Sequence, residues 1–167
     1  MNAAHLHLML NHVPVLGGVG VLVLLILSGF KDNFVLAKLT LQFMVFVGIV
    51  CLPVYFTGEP AEEIIEHLPG ITEVFISQHE RFALYSLICT VILAAIGLIG
   101  LLNWKKNSVK AMKCWRFASV VALVNAGLMI TTANYGGQIR HTEIRKTDST
   151  IPTTGKEQSL LRERDDD

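Results

Sequence analysis

The sequence predicts an all-α fold, an integral membrane up-down four-helix bundle with a short interfacial helix between spans 2 and 3. Three observations carry this. Of the 167 residues, 51% are hydrophobic and 17% charged, where soluble domains carry about 25% charged. Mean hydropathy is +0.49. Charge is absent from four stretches, residues 13–30, 39–58, 82–104 and 117–139. A helix rises about 1.5 Å per residue and the hydrocarbon core is roughly 30 Å thick, so each stretch is long enough to cross. A chain this short has no interior in which to hide four such helices. Residues 1–145 therefore form one transmembrane domain, and residues 146–167 a disordered polar tail, rich in Thr, Ser, Lys and Asp, that cannot bury enough surface to offset ordering.

Taken in order, the first stretch has no Lys or Arg before it and no small-x-small site after it, so it is expected as a span and not as a cleaved signal peptide. Pro14 must lie near the start of that helix or kink it, which frees the backbone around Leu10–Asn11. The second span follows Lys31–Lys38. Residues 59–68 (EPAEEIIEHL) place Pro60 at a first helical position and stop before Pro69-Gly70, giving a short acidic surface helix with Glu63 and His67 paired at i,i+4. Thr72 is the expected N-cap of a third helix that starts well before its apolar part.

Orientation follows from charge. The loops 31–38 and 105–116 hold Lys31, Lys38, Lys105, Lys106, Lys110, Lys113 and Arg116 against Asp32 alone, while the other side holds the remaining bases and nearly all the acids. Positive charge beside short loops stays in the cytoplasm. Both termini and the 59–81 loop are thus expected on the periplasmic side of a bacterial inner (cytoplasmic) membrane.

Helices in lipid associate through small residues and shared polar groups. Such a stripe runs through His79, Ala83, Ser86, Thr90, Ala94 and Gly97, and another through Ala126, Met129, Ala133, Gly137 and His141. Gly17, Gly18 and Gly20 follow His12. These glycines either let helices approach or leave room for a flat cofactor. Asn125, Asn134 and Gln42 read as hydrogen-bonding glue between helices. Cys51, Cys89 and Cys114 are scattered, without the spacing of a disulfide frame or a c-type haem site.

All six histidines, His5, His7, His12, His67, His79 and His141, fall on the outer side. His12 opens the first span, His79 sits a turn before the third, His141 follows the fourth by a turn, and Thr57-Gly58-Glu59 closes the second in the same layer. Neutral imidazole ligates haem iron, copper and zinc. Two histidines from different helices suit a b-type haem, bound through His12, His79 and His141 with Arg140 or Arg145 near its propionates. Alternatively His7, His12, His79 and His141 with Glu59, Glu63 or Glu80 suit a divalent transition metal such as copper or zinc. His7 and His12, five apart, cannot share a helix face.

At these residues the chain resembles a bacterial membrane family catalogued as domain of unknown function 2231. The resemblance covers roughly residues 3–145. It rests on His7-Leu8-Met9-Leu10-Asn11-His12-Val13-Pro14, Thr57-Gly58-Glu59, Gln78-His79-Glu80 and Gly136-Gly137-Gln138-Ile139-Arg140-His141. It implies four spans and a shared set of His7, His12, His79 and His141, with Leu8 standing where the family often has Pro. No reaction comes with it.

Hydrolase motifs (GxSxG, Walker, HExxH) are absent, and four short spans lack the interrupted helices or buried charges of a carrier. The reading is a multi-pass protein binding b-type haem for membrane electron transfer. Its alternatives are a copper or zinc site, or a structural membrane subunit without a cofactor. The partners implied are the lipid bilayer and a periplasmic cytochrome or other redox protein, with a homo-oligomer left open. A formal net charge of zero argues against nucleic acid.

Overall fold

A computed structural model describes residues 2–30, 33–104 and 108–145. The tail expected over residues 146–167 lies outside the described residues, as do residues 31–32 and 105–107 of the two basic loops; the rest of those loops falls largely in α3 and α6. The elements are α1 (Ala3–Leu10), α2 (His12–Phe30), α3 (Phe34–Phe56), α4 (Gly58–Ile65), α5 (Glu73–Leu102), α6 (Ser108–Arg140) and a one-turn 3-10 helix over Thr142–Ile144, with no strand among the described residues. Four segments are long and apolar enough to cross a membrane: Ala3–Gly29, Phe34–Ile65, Glu73–Leu102 and Trp115–Arg140.

Local chemistry sets the helix boundaries. Asn2 caps α1, its Oδ1 accepting from the His5 N–H at 2.9 Å. The chain breaks at Asn11 and restarts at His12, which puts Pro14 in the first turn of α2, where its missing N–H costs nothing. Asn33 Oδ1 accepts from the N–H groups of Val35 and Leu36 and so starts α3 ahead of its charge-free part, with Lys38 inside the helix. Pro53, in the last turns of α3, removes one helical donor, and Thr57 closes the end by donating its hydroxyl to the carbonyls of Pro53 and Val54. Pro60 is the third residue of α4 instead of the first, and α4 ends at Ile65, short of His67. His67 Nε2 accordingly lies 3.3 Å from Glu66 and not against Glu63. Gly70, at φ +82°, turns the chain toward α5, a backbone setting that favours glycine.

The long helices form a bundle in which α2 and α5 each pack against both α3 and α6. Residue numbers rise along one helix where they fall along its neighbour. Gly17 meets Val47 while Ser28 bonds Thr40; Gly48 meets Ala94 and Gly97 meets Leu41; Ser86 bonds Thr132 and Thr90 bonds Asn125. The core comprises Val21 and Leu25 of α2, Leu41, Met44 and Val47 of α3, Leu93 of α5, and Ala118 and Ala122 of α6. Large apolar side chains face outward all round, among them Ile49, Val120, Leu123 and Ile130, each more than half exposed. Only 22–33% of each apolar window is buried within the protein. Water does not tolerate so much contiguous apolar surface, and lipid does.

Candidate functional site

The end of the bundle where α3 finishes, α5 begins and α6 finishes also holds α1, which packs on α4. Two imidazoles meet there. The rings of His7, from α1, and His79, from α5, have centres 6.4 Å apart and planes at 81°.

Both rings are tethered in the same way. His7 Nδ1 lies 3.0 Å from the Val54 carbonyl oxygen, and His79 Nδ1 lies 2.9 Å from that of Thr132. A carbonyl oxygen only accepts, so Nδ1 is the donor in each case. A neutral ring so tethered leaves its Nε2 lone pair available. Donation of the second ring nitrogen to a carbonyl is also what orients histidines that ligate metals.

Glycine leaves room for the His79 ring beside its carbonyl, whereas the space at Gly58 is not tight. In a helix the carbonyl of one residue lies beneath the side chain four positions on. Four beyond Thr132, in the same helix, is Gly136. A Cβ on Gly136 would stand 3.0 Å from His79 Cε1, and one on Gly58 would stand 3.8 Å from His7 Cε1.

The other predicted residues are exposed. His12 is exposed at the start of α2; five residues and a helix break separate it from His7. His141 is exposed beyond the end of α6, its Nδ1 2.8 Å from Glu143. Arg140, the last residue of α6, is exposed, as are Glu59 in α4 and Glu80 in α5. The carboxyl of Glu80 faces that of Glu62 on α4. Among the described residues no three His, Cys, Asp or Glu side chains are grouped to hold one metal ion.

The glycines of α2 serve close helix packing. A Cβ on Gly17 would be 2.7 Å from Val47 Cγ2, one on Gly18 3.3 Å from Met129 Cγ, and one on Gly20 3.0 Å from Phe43 Cε1. Side chains already fill the room that a flat cofactor would take there. Of the expected glue residues, Asn125 is wholly buried and accepts from Thr90. Asn134 instead bonds Gln138 on its own helix, and Gln42 is exposed.

Arg145 closes this end of the molecule. Its guanidinium donates to the carbonyls of Gln138, Ile139 and Gly70 and to the Thr72 hydroxyl, and lies 4.7 Å over the Phe75 ring. It ties the end of α6 to the start of α5.

Comparison of the chain with protein-family models, with curated proteins and with solved structures finds no match.

Proposed function

We propose that this chain crosses the bilayer four times as an up-and-down bundle, with both termini and an interfacial α4 on the outer side of a bacterial inner membrane. In this reading His7 and His79 ligate the iron of a b-type haem for membrane electron transfer. The carrying observation is the paired imidazole arrangement: two rings from different helices, each held at Nδ1 by a carbonyl, with centres 6.4 Å apart. Neutral imidazoles presented by two helices are the donor set that would hold the iron of a b-type haem. Edge-to-face packing alone gives such a spacing of ring centres, but packing does not require that both Nδ1 atoms be tethered.

The chain's own residues supply orientation. Val54 and Thr132 fix the rings, Gly136 leaves the His79 ring its space, and Arg140 at the end of α6 offers a cation for a propionate. The haem, when bound, supplies one-electron transfer, and a periplasmic cytochrome or other redox protein is the partner such a role calls for. The kinship with the domain-of-unknown-function 2231 family belongs to this proposal and rests on the short motifs that carry it.

The test is the absorbance of detergent-purified protein expressed with ample haem. A Soret band at one haem per chain is expected, lost in His7→Ala and in His79→Ala and kept in His12→Ala and His141→Ala. Absence of the band from the parent protein, or its survival in the double His7/His79 variant, overturns the haem assignment. A second reading, a single copper or zinc ion at the same two rings, is favoured by the Nδ1-to-carbonyl tethers, the arrangement that orients metal-ligating histidines. Stoichiometric metal without a Soret band would select it.

A further inference from the structure

At the opposite end of the bundle, an open groove of about 450 Å³ is lined by Phe34, Val35, Lys38, Leu39, Gln42 and Trp104. Five of these come from the first turns of α3, and Trp104 follows α5. Val35, Lys38, Leu39 and Gln42 recur at helical spacing, so they share one face. Phe34 and Trp104 meet edge to face with ring centres 6.1 Å apart, closing one side. Phe34 and Val35 are each 79% exposed, and Lys38 and Gln42 are exposed as well.

In a bilayer this is an unusual face. Lys38 and Trp104 are the residue types that anchor at the lipid headgroup level. Gln42 lies one turn deeper, about 6 Å further into the membrane, where an amide turned toward acyl chains is costly unless bonded. The groove therefore presents a cation at phosphate depth, an amide donor at ester depth and an apolar wall.

We propose that this groove binds one anionic glycerophospholipid of the cytoplasmic leaflet. The Lys38 ammonium pairs with the phosphate. The Gln42 amide donates to an ester carbonyl of the glycerol backbone. One acyl chain lies along Val35 and Leu39, and Trp104 covers the glycerol level. Charge complementarity selects an anionic over a zwitterionic head. This site rests on the bilayer-crossing reading and is independent of the histidine pair.

Native mass spectrometry of the full chain, released from micelles containing equal phosphatidylglycerol and phosphatidylcholine, tests it. Retention of phosphatidylglycerol about fivefold above phosphatidylcholine is expected, the effect of one lysine at an anionic surface. Lys38→Met should abolish the preference and Lys38→Arg should keep it, while Gln42→Leu should weaken retention of both lipids. Equal retention by the parent protein, or an undiminished preference in Lys38→Met, overturns the site. Extraction of the chain from membranes by alkaline carbonate would overturn the bilayer reading and the groove with it. Carbonate resistance with indifference to the head group overturns the groove alone.

Discussion

Gly136 lies directly against the His79 imidazole, where a Cβ would stand 3.0 Å from Cε1 and 3.1 Å from Nδ1. The ring is there because its Nδ1 reaches the Thr132 carbonyl one turn back. Gly136→Ala should push the ring off that carbonyl and lower haem or metal occupancy severalfold while leaving the bundle folded. Gly127 provides the control, because nothing lies within 4 Å of a Cβ built there. Gly127→Ala should leave ligand binding intact and raise stability by about 0.5–1 kcal/mol through helix propensity. Ligand per chain and the thermal midpoint in detergent report both. Unchanged occupancy in Gly136→Ala would show that the carbonyl tether does not position the site.

Thr90 donates to Asn125 Oδ1 across the α5–α6 contact at 3.2 Å, and both side chains are buried. The Asn125 amide nitrogen has no partner among the described residues. A double-mutant cycle with Thr90→Val and Asn125→Leu should give a coupling of about 0.6 kcal/mol, with a ceiling near ~1.7, the range for such bonds between membrane helices. Asn125→Leu should cost less than Thr90→Val. The first removes an unpaired donor, whereas the second leaves the whole amide unpaired. Reversible unfolding in mixed micelles measures the cycle, and a coupling of zero would reduce the contact to packing.

Much of this was legible in the sequence, for physical reasons. The four charge-free stretches fall almost wholly within long helices because apolar length is itself the constraint a bilayer imposes. The stripe from His79 to Gly97 follows α5 closely: Ser86, Thr90 and Gly97 are buried. On α6 the stripe holds at Ala126 and Met129 but fails at Ala133, which is exposed, while Thr132 is buried. Steps of 3, 4, 4 and 4 between positions 126 and 141 gain about 60° on a 3.6-residue turn, so a face read by eye drifts off the core. His7 and His79 were read into one ligand set with His12 and His141, but that these two rings would meet each other was not legible. It depends on where α1 docks after the break at Asn11, and periodicity cannot carry a face across a break. The signal that could have found the His79 tether is a glycine four residues beyond an otherwise covered carbonyl, at Gly136.

Arg145 joins α6 to the α4–α5 turn through three carbonyls and one hydroxyl. Charged hydrogen bonds contribute about 1.5–3 kcal/mol each when well shielded and less near water. Arg145→Ala should therefore lower stability by about 1–3 kcal/mol. Arg145→Lys should recover under half of that, because an ammonium cannot match the planar fork that spans these acceptors. Limited proteolysis provides a local readout, with cleavage between residues 66 and 72 accelerating before the bundle itself opens. Identical cleavage rates in the parent and Arg145→Ala would exclude the clasp.

His141 and Glu143, both exposed, bond at 2.8 Å across the turn after α6. The Glu143 carboxylate also accepts from its own backbone N–H, the larger of the two influences, and together they hold its pKa below the usual glutamate value. A group whose pKa is depressed by folding adds stability that is present above its unfolded pKa and is lost as pH falls through the folded one. Order in the 3-10 turn Thr142–Ile144 should accordingly persist through neutral and mildly acidic pH and fade only below the ordinary glutamate range. In His141→Ala the carboxyl should titrate higher than in the parent yet still below the usual value, because the backbone bond remains. Carboxyl carbon chemical shifts followed across a pH series would show this. A parent Glu143 titrating at the unperturbed value would mean that solvent competes successfully for both contacts and that the turn owes its order to Arg145 alone.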